Sequence, residues 1–322
     1  MRKIFLRDPS EKISWVACSH FFAAHLLPLA AIFTGVKISD FILCLVLYFM
    51  RMFFITAGYH RYFAHRSYQL NRVIQFIMAF GGGTSAQKGA LWWAAHHRHH
   101  HRYSDTQEDI HSPKKGFWWS HMGWIVCSKY DETRYDLIPD FAKYPELRWL
   151  NKYHLVPPTL LAIAVLFWGG GSALWIGFFL STVLLWHGTF VINSLAHVFG
   201  RRRFVTTDTS RNSFLLSMIT LGEGWHNNHH HFQAAARQGF YWWEMDISFY
   251  ILKLLKWMKL AKNLKKVPSG ALKRNLIKDG NFDVGMMVQE ARKKWIKPFQ
   301  KFQLPLNSFP VKSRNLGVPK SQ

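Results

Sequence analysis

The sequence predicts an all-α integral membrane protein, with four transmembrane helices carrying a helical cytosolic cap that holds a histidine-rich two-metal site. Three observations lead there. Apolar runs approach the ~20 residues that a helix needs to cross a bilayer. Basic residues flank those runs unevenly. Most of the 18 histidines fall in short clusters outside the runs.

Composition narrows the class. The 322 residues include 41 Lys and Arg against 18 Asp and Glu, a formal charge of +23, with 27 Phe and 15 Trp. Mean hydropathy is only −0.06. That near-neutral average hides long apolar stretches and basic polar ones, a segregation typical of membrane proteins because hydrocarbon excludes charge. The positive charge suits anionic lipid and acidic partners rather than nucleic acid. Cys18, Cys44 and Cys127 have no metal-site spacing and read as small buried hydrophobes.

The expected spans are 15–36, 38–59, 153–168 and 173–192. Pro157 and Pro158 mark the start of the third, and Gly169, Gly170 and Gly171 separate it from the fourth as a tight hairpin. A shorter run, Val73 to Phe80, is expected to stop at Gly81–Gly83 as an interfacial or re-entrant piece. Arg2, Lys3, Arg7 and Lys12 precede the first span. Arg61, Arg66 and Arg72 follow the second, Arg148 and Lys152 precede the third, and Arg201–Arg203 follow the fourth. The opposite loops carry only Lys37, so the positive-inside rule places both termini and the 60–152 segment in the cytoplasm. Arg51 is expected to snorkel from the second span.

The membrane domain is expected to occupy 1–264, with cap segments 60–152 and 193–264 and a basic tail from 265 to 322. Within the cap, Ile247, Tyr250, Ile251, Leu254, Met258 and Ala261 share one helical face, with Lys253, Lys256 and Lys259 opposite. That pattern fits a helix lying on a membrane surface or one packed on the core.

The histidines carry the chemistry. His60 and His65 form the first cluster, His96, His97 and His99–His101 the second, and His226 with His229–His231 the third; His197 stands four residues after Asn193. His97, His100 and His101 share a helical face, as do His226, His229 and His230. His60 and His65, five apart, need a helix end or a local distortion. Imidazole binds iron, zinc or copper well. So many imidazoles, with hardly a carboxylate among them, suggest two neighbouring ions. Lone histidines in apolar runs, His20, His25 and His187, read as hydrogen-bonded packing residues. Ligand candidates crowded on one side of the spans disfavour a metal transporter or storage protein. The absence of H-E-x-x-H disfavours a zinc peptidase.

The spacings H-x-x-x-x-H, H-x-x-H-H and H-x-x-H-H resemble the three histidine boxes of the membrane fatty acid desaturases, in particular the stearoyl-CoA desaturase branch. The strings N-S-L-A-H at 193–197, G-E-G-W-H-N-N-H-H at 222–230 and G-F-W-W-S-H-M-G-W at 116–124 support this. The resemblance implies nine ligands to two iron ions: His60, His65, His97, His100, His101, His197, His226, His229 and His230. It places Asn193 against a metal-bound water, and leaves His96, His99 and His231 outside the pattern. It implies oxygen-dependent desaturation of an acyl chain, acyl-CoA and the Δ9 position being the expectation, in a bacterial inner membrane. A related membrane hydroxylase is the alternative. Gln87, Trp93 and Trp119 are the expected substrate contacts, with Phe53, Phe54, Trp92, Trp118 and Phe190 as further tunnel walls. Ala95 and His96 depart from the basic and acidic residues that animal acyl-CoA enzymes carry there. Without a fused H-P-G-G electron-carrier domain, electrons are expected from a separate ferredoxin or cytochrome b5-type protein with its reductase.

Overall fold

A computed structural model describes residues 6–16 and 18–277. The chain is mostly helical; the described strands are β1 (Gln69–Leu70) and β2 (Ala261–Lys262), an antiparallel pair of two residues each. The helices that position the site are α1 (Ser19–Thr34), α2 (Ile38–Ala64), α3 (Arg72–Gly83), α4 (Ala90–Tyr103), α5 (Pro145–Lys152) and the long run α6 (Val156–His197). Beyond it lie α7 (Phe214–Ile219), α8 (His226–His231), α9 (Ile247–Trp257) and α10 (Ser269–Lys273).

Two runs, α2 and α6, are long and apolar enough to cross a membrane, in place of the four separate spans expected. The reason is local. The third and fourth expected spans are two arms of one helical run, broken where Gly170 takes φ 75° and ψ −163°. That left-handed φ suits glycine, so one residue makes the turn assigned to three. The first expected span is shorter than 15–36: α1 begins at Ser19, and Pro28 falls in a tight 3₁₀ turn, Leu27–Ala30, within it. α2 runs past residue 59 to Ala64 because its backbone widens rather than ends.

Other expectations also change. α3 continues through its three glycines instead of stopping at them, because a Cβ at Gly81 or Gly82 would overlap the rings of Phe54 or Tyr59. The bare backbone lets α3 press against α2, so this piece is packed protein rather than re-entrant loop. Arg51 does not snorkel. It is fully buried and donates to Leu47 O, Thr84 O, Thr182 Oγ1 and Ser181 Oγ at 2.5–3.3 Å. It pins α2 to the second arm of α6, its buried donors satisfied by neighbouring oxygens.

The described chain stays hydrogen-bonded to the rest of the fold past residue 264, where the tail was expected to begin. Lys265 N donates to Ser67 O, and Ile277 N donates to Arg203 O, both at 2.9 Å. The remaining tail, 278–322, lies outside the described residues. The main buried core gathers Tyr59, Phe63, Leu91, Ile138, Leu147 and Leu252, joining α2, α4, α5 and α9 beneath the histidines.

Candidate metal centre

The His60–His65 pair shows how local backbone sets the site. From Phe54 to Ala64, α2 is a π-helix, and His65 N donates to His60 O at 3.1 Å. A π-helix repeats through i→i+5 bonds, so residues five apart come onto one face. His65 caps the helix, its Nε2 3.1 Å from His60 Nε2. The distortion that the spacing demanded is a widened stretch of helix, buried from Ile55 to Ala64.

α4 and α8 each divide their histidines between two groups. His97 and His101 of α4 and His229 of α8 join His60 and His65; the five ligand nitrogens lie within 4.8 Å of one another. His100 of α4 and His230 of α8 join His197 at the end of α6, again within 4.8 Å. His226 Nε2 is 3.0 Å from His197 Nε2, which adds a fourth member to the second group. The groups adjoin, with the His101 and His230 rings 4.5 Å apart. All nine histidines named from the sequence are therefore brought together.

The carboxylates missed by the sequence reading lie behind the rings. Glu223 Oε2 is 2.6 Å from His60 Nδ1 and is itself held by Arg61 and Gln238. Asp109 accepts from His100 Nδ1 at 3.0 Å and Asp208 from His230 Nδ1 at 2.8 Å; Asp105 lies 3.4 Å from His197 Nδ1. An ionised carboxylate only accepts hydrogen bonds. Each therefore holds its histidine in the tautomer with the proton on Nδ1, leaving an Nε2 lone pair aimed into the cluster. Oriented imidazoles of this kind are what metal ligation uses. Only Asp109 holds a ring of the cluster it follows, nine residues back; Asp105, Asp208 and Glu223 hold rings far from them along the chain.

The electrostatics suit a cation at the first group above all. Burial, then the neighbouring histidines, pushes His65, His97, His101, His226 and His229 well below the ordinary imidazole range, so they stay neutral and able to donate lone pairs. Burial works against charge on Asp109, yet His100 and His111 bring it down to about 2. His230 Nε2 is buried without a hydrogen-bond partner. Converging lone pairs with no donor between them repel; a metal ion between them converts that repulsion into ligation. The donor set fits iron, and zinc or copper equally.

One further histidine was missed. His111 stacks on His100 with ring centroids 4.2 Å apart, and its Nδ1 is buried without a partner. With His100 and Asp109 it makes a third grouping of ligand atoms. Of the in-cluster histidines left outside the pattern, His96 contacts Trp92 O, His99 Glu108 O and His231 Ala271 O.

A cavity of about 530 Å³ abuts the first group. His97, His111, Gln87, Trp92, Trp93, Phe190 and Asn193 line it, among others. Gln87 Nε2 donates to Thr189 Oγ1 at 3.0 Å, and Trp93 stacks on His97. Trp119 and Trp118 are elsewhere. They line a separate cleft with Arg7, and Trp119 Nε1 donates to Ile110 O, because the π-turn Trp119–Gly123 turns these rings away from the main cavity. Phe53 and Phe54 pack against the core instead.

His25 and His187 form a chain with His121 beside the cavity, whereas His20, expected to be a packing residue too, is exposed and lines the cavity. His25 Nδ1 lies 2.8 Å from Phe21 O, and His25 Nε2 3.1 Å from His187 Nε2. His187 Nδ1 lies 2.9 Å from His121 Nε2, and His121 Nδ1 2.9 Å from Ser194 Oγ. They are hydrogen-bonded packing residues, as expected of His25 and His187, and they tie α1 to the end of α6.

Comparison with known proteins follows the same lines. The fatty acid desaturase family model matches residues 39–266. An sn-2 palmitoyl-lipid 9-desaturase of Nostoc is 34% identical over 273 residues, 81% of this chain and 94% of the relative. An acyl-CoA 5-desaturase of Anemone leveillei is 36% identical, covering 87% and 92%, and the Arabidopsis thaliana Delta-9 acyl-lipid desaturase 2 is 36% identical, covering 85% and 90%. The family match spans the segment that holds every histidine cluster, and with relatives at this identity it makes the chain a member of the fatty acid desaturase family and an acyl desaturase, an oxidoreductase of lipid metabolism.

Proposed function

We propose that the chain is a di-iron, dioxygen-dependent Δ9 desaturase of saturated acyl chains, anchored by four spans with both termini in the cytoplasm. The observation that carries this is the division of nine imidazoles into groups of five and four beside a largely apolar cavity. The reaction consumes a saturated acyl chain, dioxygen, two electrons and two protons, and yields a cis-alkene and two waters. When bound, the iron pair supplies the dioxygen activation and hydrogen abstraction that no side chain can perform. The chain's own residues do the rest. Glu223, Asp105, Asp109 and Asp208 orient the ligands. Trp92, Trp93 and Phe190 give the acyl chain a dry wall. Gln87 and Thr189 offer the paired polar atoms that fix its course. Asn193, one turn before His197, suits a hydrogen bond to metal-bound water, as an amide ligates metals poorly. Electrons come from a separate acidic carrier.

For the carrier of the acyl chain, acyl-CoA is the reading from sequence, and one observation favours a glycerolipid. Lys88, lining the cavity, is committed to Asp131 at 2.6 Å and sits over the Trp92 ring at 4.7 Å. Ala95 and His96 add no fixed cation for nucleotide phosphates. Two of the relatives described above are named for lipid substrates.

Expression in a host lacking its own desaturase, with mass spectrometry of the acyl products, tests the reading. A cis-9 alkene is expected, with two irons per chain in active protein. An alcohol would make the chain a hydroxylase, and one metal per active chain would end the two-ion reading. Purified protein given stearoyl-CoA or stearoyl-glycerolipid with reduced ferredoxin decides the carrier.

A further inference from the structure

α9 has three sides. At ~100° per residue, Ser248, Leu252 and Leu255 fall together and face the protein. Ser248 and Leu252 are buried, Leu255 packs on the main core, and Ser248 Oγ lies 2.6 Å from Thr56 Oγ1 of α2. Lys253 and Lys256 form a second side, exposed. Tyr250, Leu254 and Trp257 form a third, apolar yet open, with Trp257 80% exposed. A helix at a protein surface ordinarily has one apolar side, the buried one. Of the stripe legible in the sequence, Tyr250, Leu254 and Met258 point outward, while Ile247 packs on a core cluster and Ala261 is buried. Met258 continues the open side, and Trp242, in the turn that leads into α9, is 82% exposed. Contiguous exposed apolar area of this kind marks an interaction surface.

Its depth is set by hydrogen bonds to α2. Thr56 lies inside the apolar run Ile38–Ala64, near its cap end. Two turns deeper, Tyr48 OH donates to Ile219 O of α7 at 2.8 Å. α7 also turns Phe214 and Leu215 outward, both more than half exposed. These parts of the cap are bonded to the spanning helix below its polar end. The exposed aromatic stripe thus stands level with the place where α2 leaves the hydrocarbon.

We propose that α9 and the Trp242–Met245 turn lie in the membrane–water interface and dock on anionic phospholipid, with Trp242, Leu254 and Trp257 among the acyl chains and Lys253, Lys256 and Lys259 at the head-group phosphates. Tryptophan favours the head-group level. Lysine reaches phosphate while its stem stays in apolar surroundings, and basic amphipathic helices bind anionic bilayers in this way. An acidic redox protein would use the same lysines but leave the tryptophans in water, so the exposed rings favour lipid. The inference rests on α2 spanning the bilayer and not on the reaction catalysed.

The test uses the full chain in nanodiscs mixing phosphatidylcholine with phosphatidylglycerol. A bimane label is placed at Trp257→Cys, with Cys18, Cys44 and Cys127 changed to alanine. Brominated lipids should quench it, and brominated phosphatidylglycerol should exceed brominated phosphatidylcholine by about fivefold at equal mole fraction, the factor for one lysine at an anionic surface. Lys253→Gln, Lys256→Gln and Lys259→Gln together should erase the preference and keep the quenching. Hydrogen exchange on the unsubstituted chain gives a second measure, with slower exchange over 242–258 in phosphatidylglycerol discs than in phosphatidylcholine discs. Absent quenching, equal quenching by both lipids, or exchange indifferent to lipid charge overturns the proposal. So does an unquenched label beside salt-sensitive binding of an acidic ferredoxin that the lysine changes abolish, which would give the face to a protein. Loss of desaturation with quenching intact would remove the proposed reaction and leave this surface standing.

Discussion

The two histidine groups solve one problem in different ways. The first has five imidazoles and a single carboxylate behind them, Glu223 on His60; His65, His97 and His101 are only partly buried. The second has four imidazoles and three carboxylates, Asp109, Asp105 and Asp208, with His100, His197 and His230 fully buried. A cation far from water needs compensating charge more than one near a cavity does. More ligands make up for less charge in the first group. More charge accompanies fewer imidazoles in the second, whose His197 follows Asn193 by one turn. The comparison implies that the second group is tuned chiefly by its carboxylates and the first by its imidazole count.

The sharpest break comes from the ligands. His65→Ala should remove one metal equivalent from the first group, and His197→Ala one from the second, each with desaturation reduced more than 100-fold. Metal content by mass spectrometry, on the preparation used for product assay, checks both. Loss of both equivalents from either change would mean that the groups do not bind independently, and full activity after His197→Ala would remove it from the centre.

The carboxylates come next. Asp208→Asn should weaken metal binding by about 10–100-fold, the usual cost of losing a partner that orients a ligand. Glu223→Gln should cost less, because four other imidazoles hold the same ion and Arg61 keeps Asp246 at 2.8 Å. Metal titration against a competing chelator measures both. Equal losses at the two positions would sink the proposed division of labour.

Asn193→Ala should retain both metals and lose about tenfold in turnover, since it acts on bound water and not on the ion. Wild-type turnover at full occupancy would reduce it to packing, while loss of a whole equivalent would promote it to a ligand. The smallest effect belongs to the cavity shared by the groups. Thr189→Val removes the hydrogen bond from Gln87, worth roughly 1 kcal/mol, and should change the ratio of double-bond positions by about fivefold with metal content unchanged. An unaltered product ratio would free Gln87 and Thr189 from any part in placing the acyl chain.

What could be read from the sequence was whatever depends on neighbours along the chain. Apolar length marked α2 and α6, spacing by three and four residues put His97 with His101 and His226 with His230 on common faces, and the five-residue gap between His60 and His65 announced a distorted helix. The apolar stripe of α9 was visible as a stripe, though not that Tyr250, Leu254 and Met258 would stand open while Ile247 and Ala261 pack inward. Only the tertiary structure decided which histidines gather into which group, because α4 and α8 each send side chains to both and nothing in their spacing says which. It alone supplied Asp208 and Glu223, which reach His230 and His60 across 22 and 163 residues of chain. It also moved Trp119 out of the main cavity and buried Arg51 among hydroxyls. Periodicity records which face a side chain takes, but what that face meets is set by how distant segments pack.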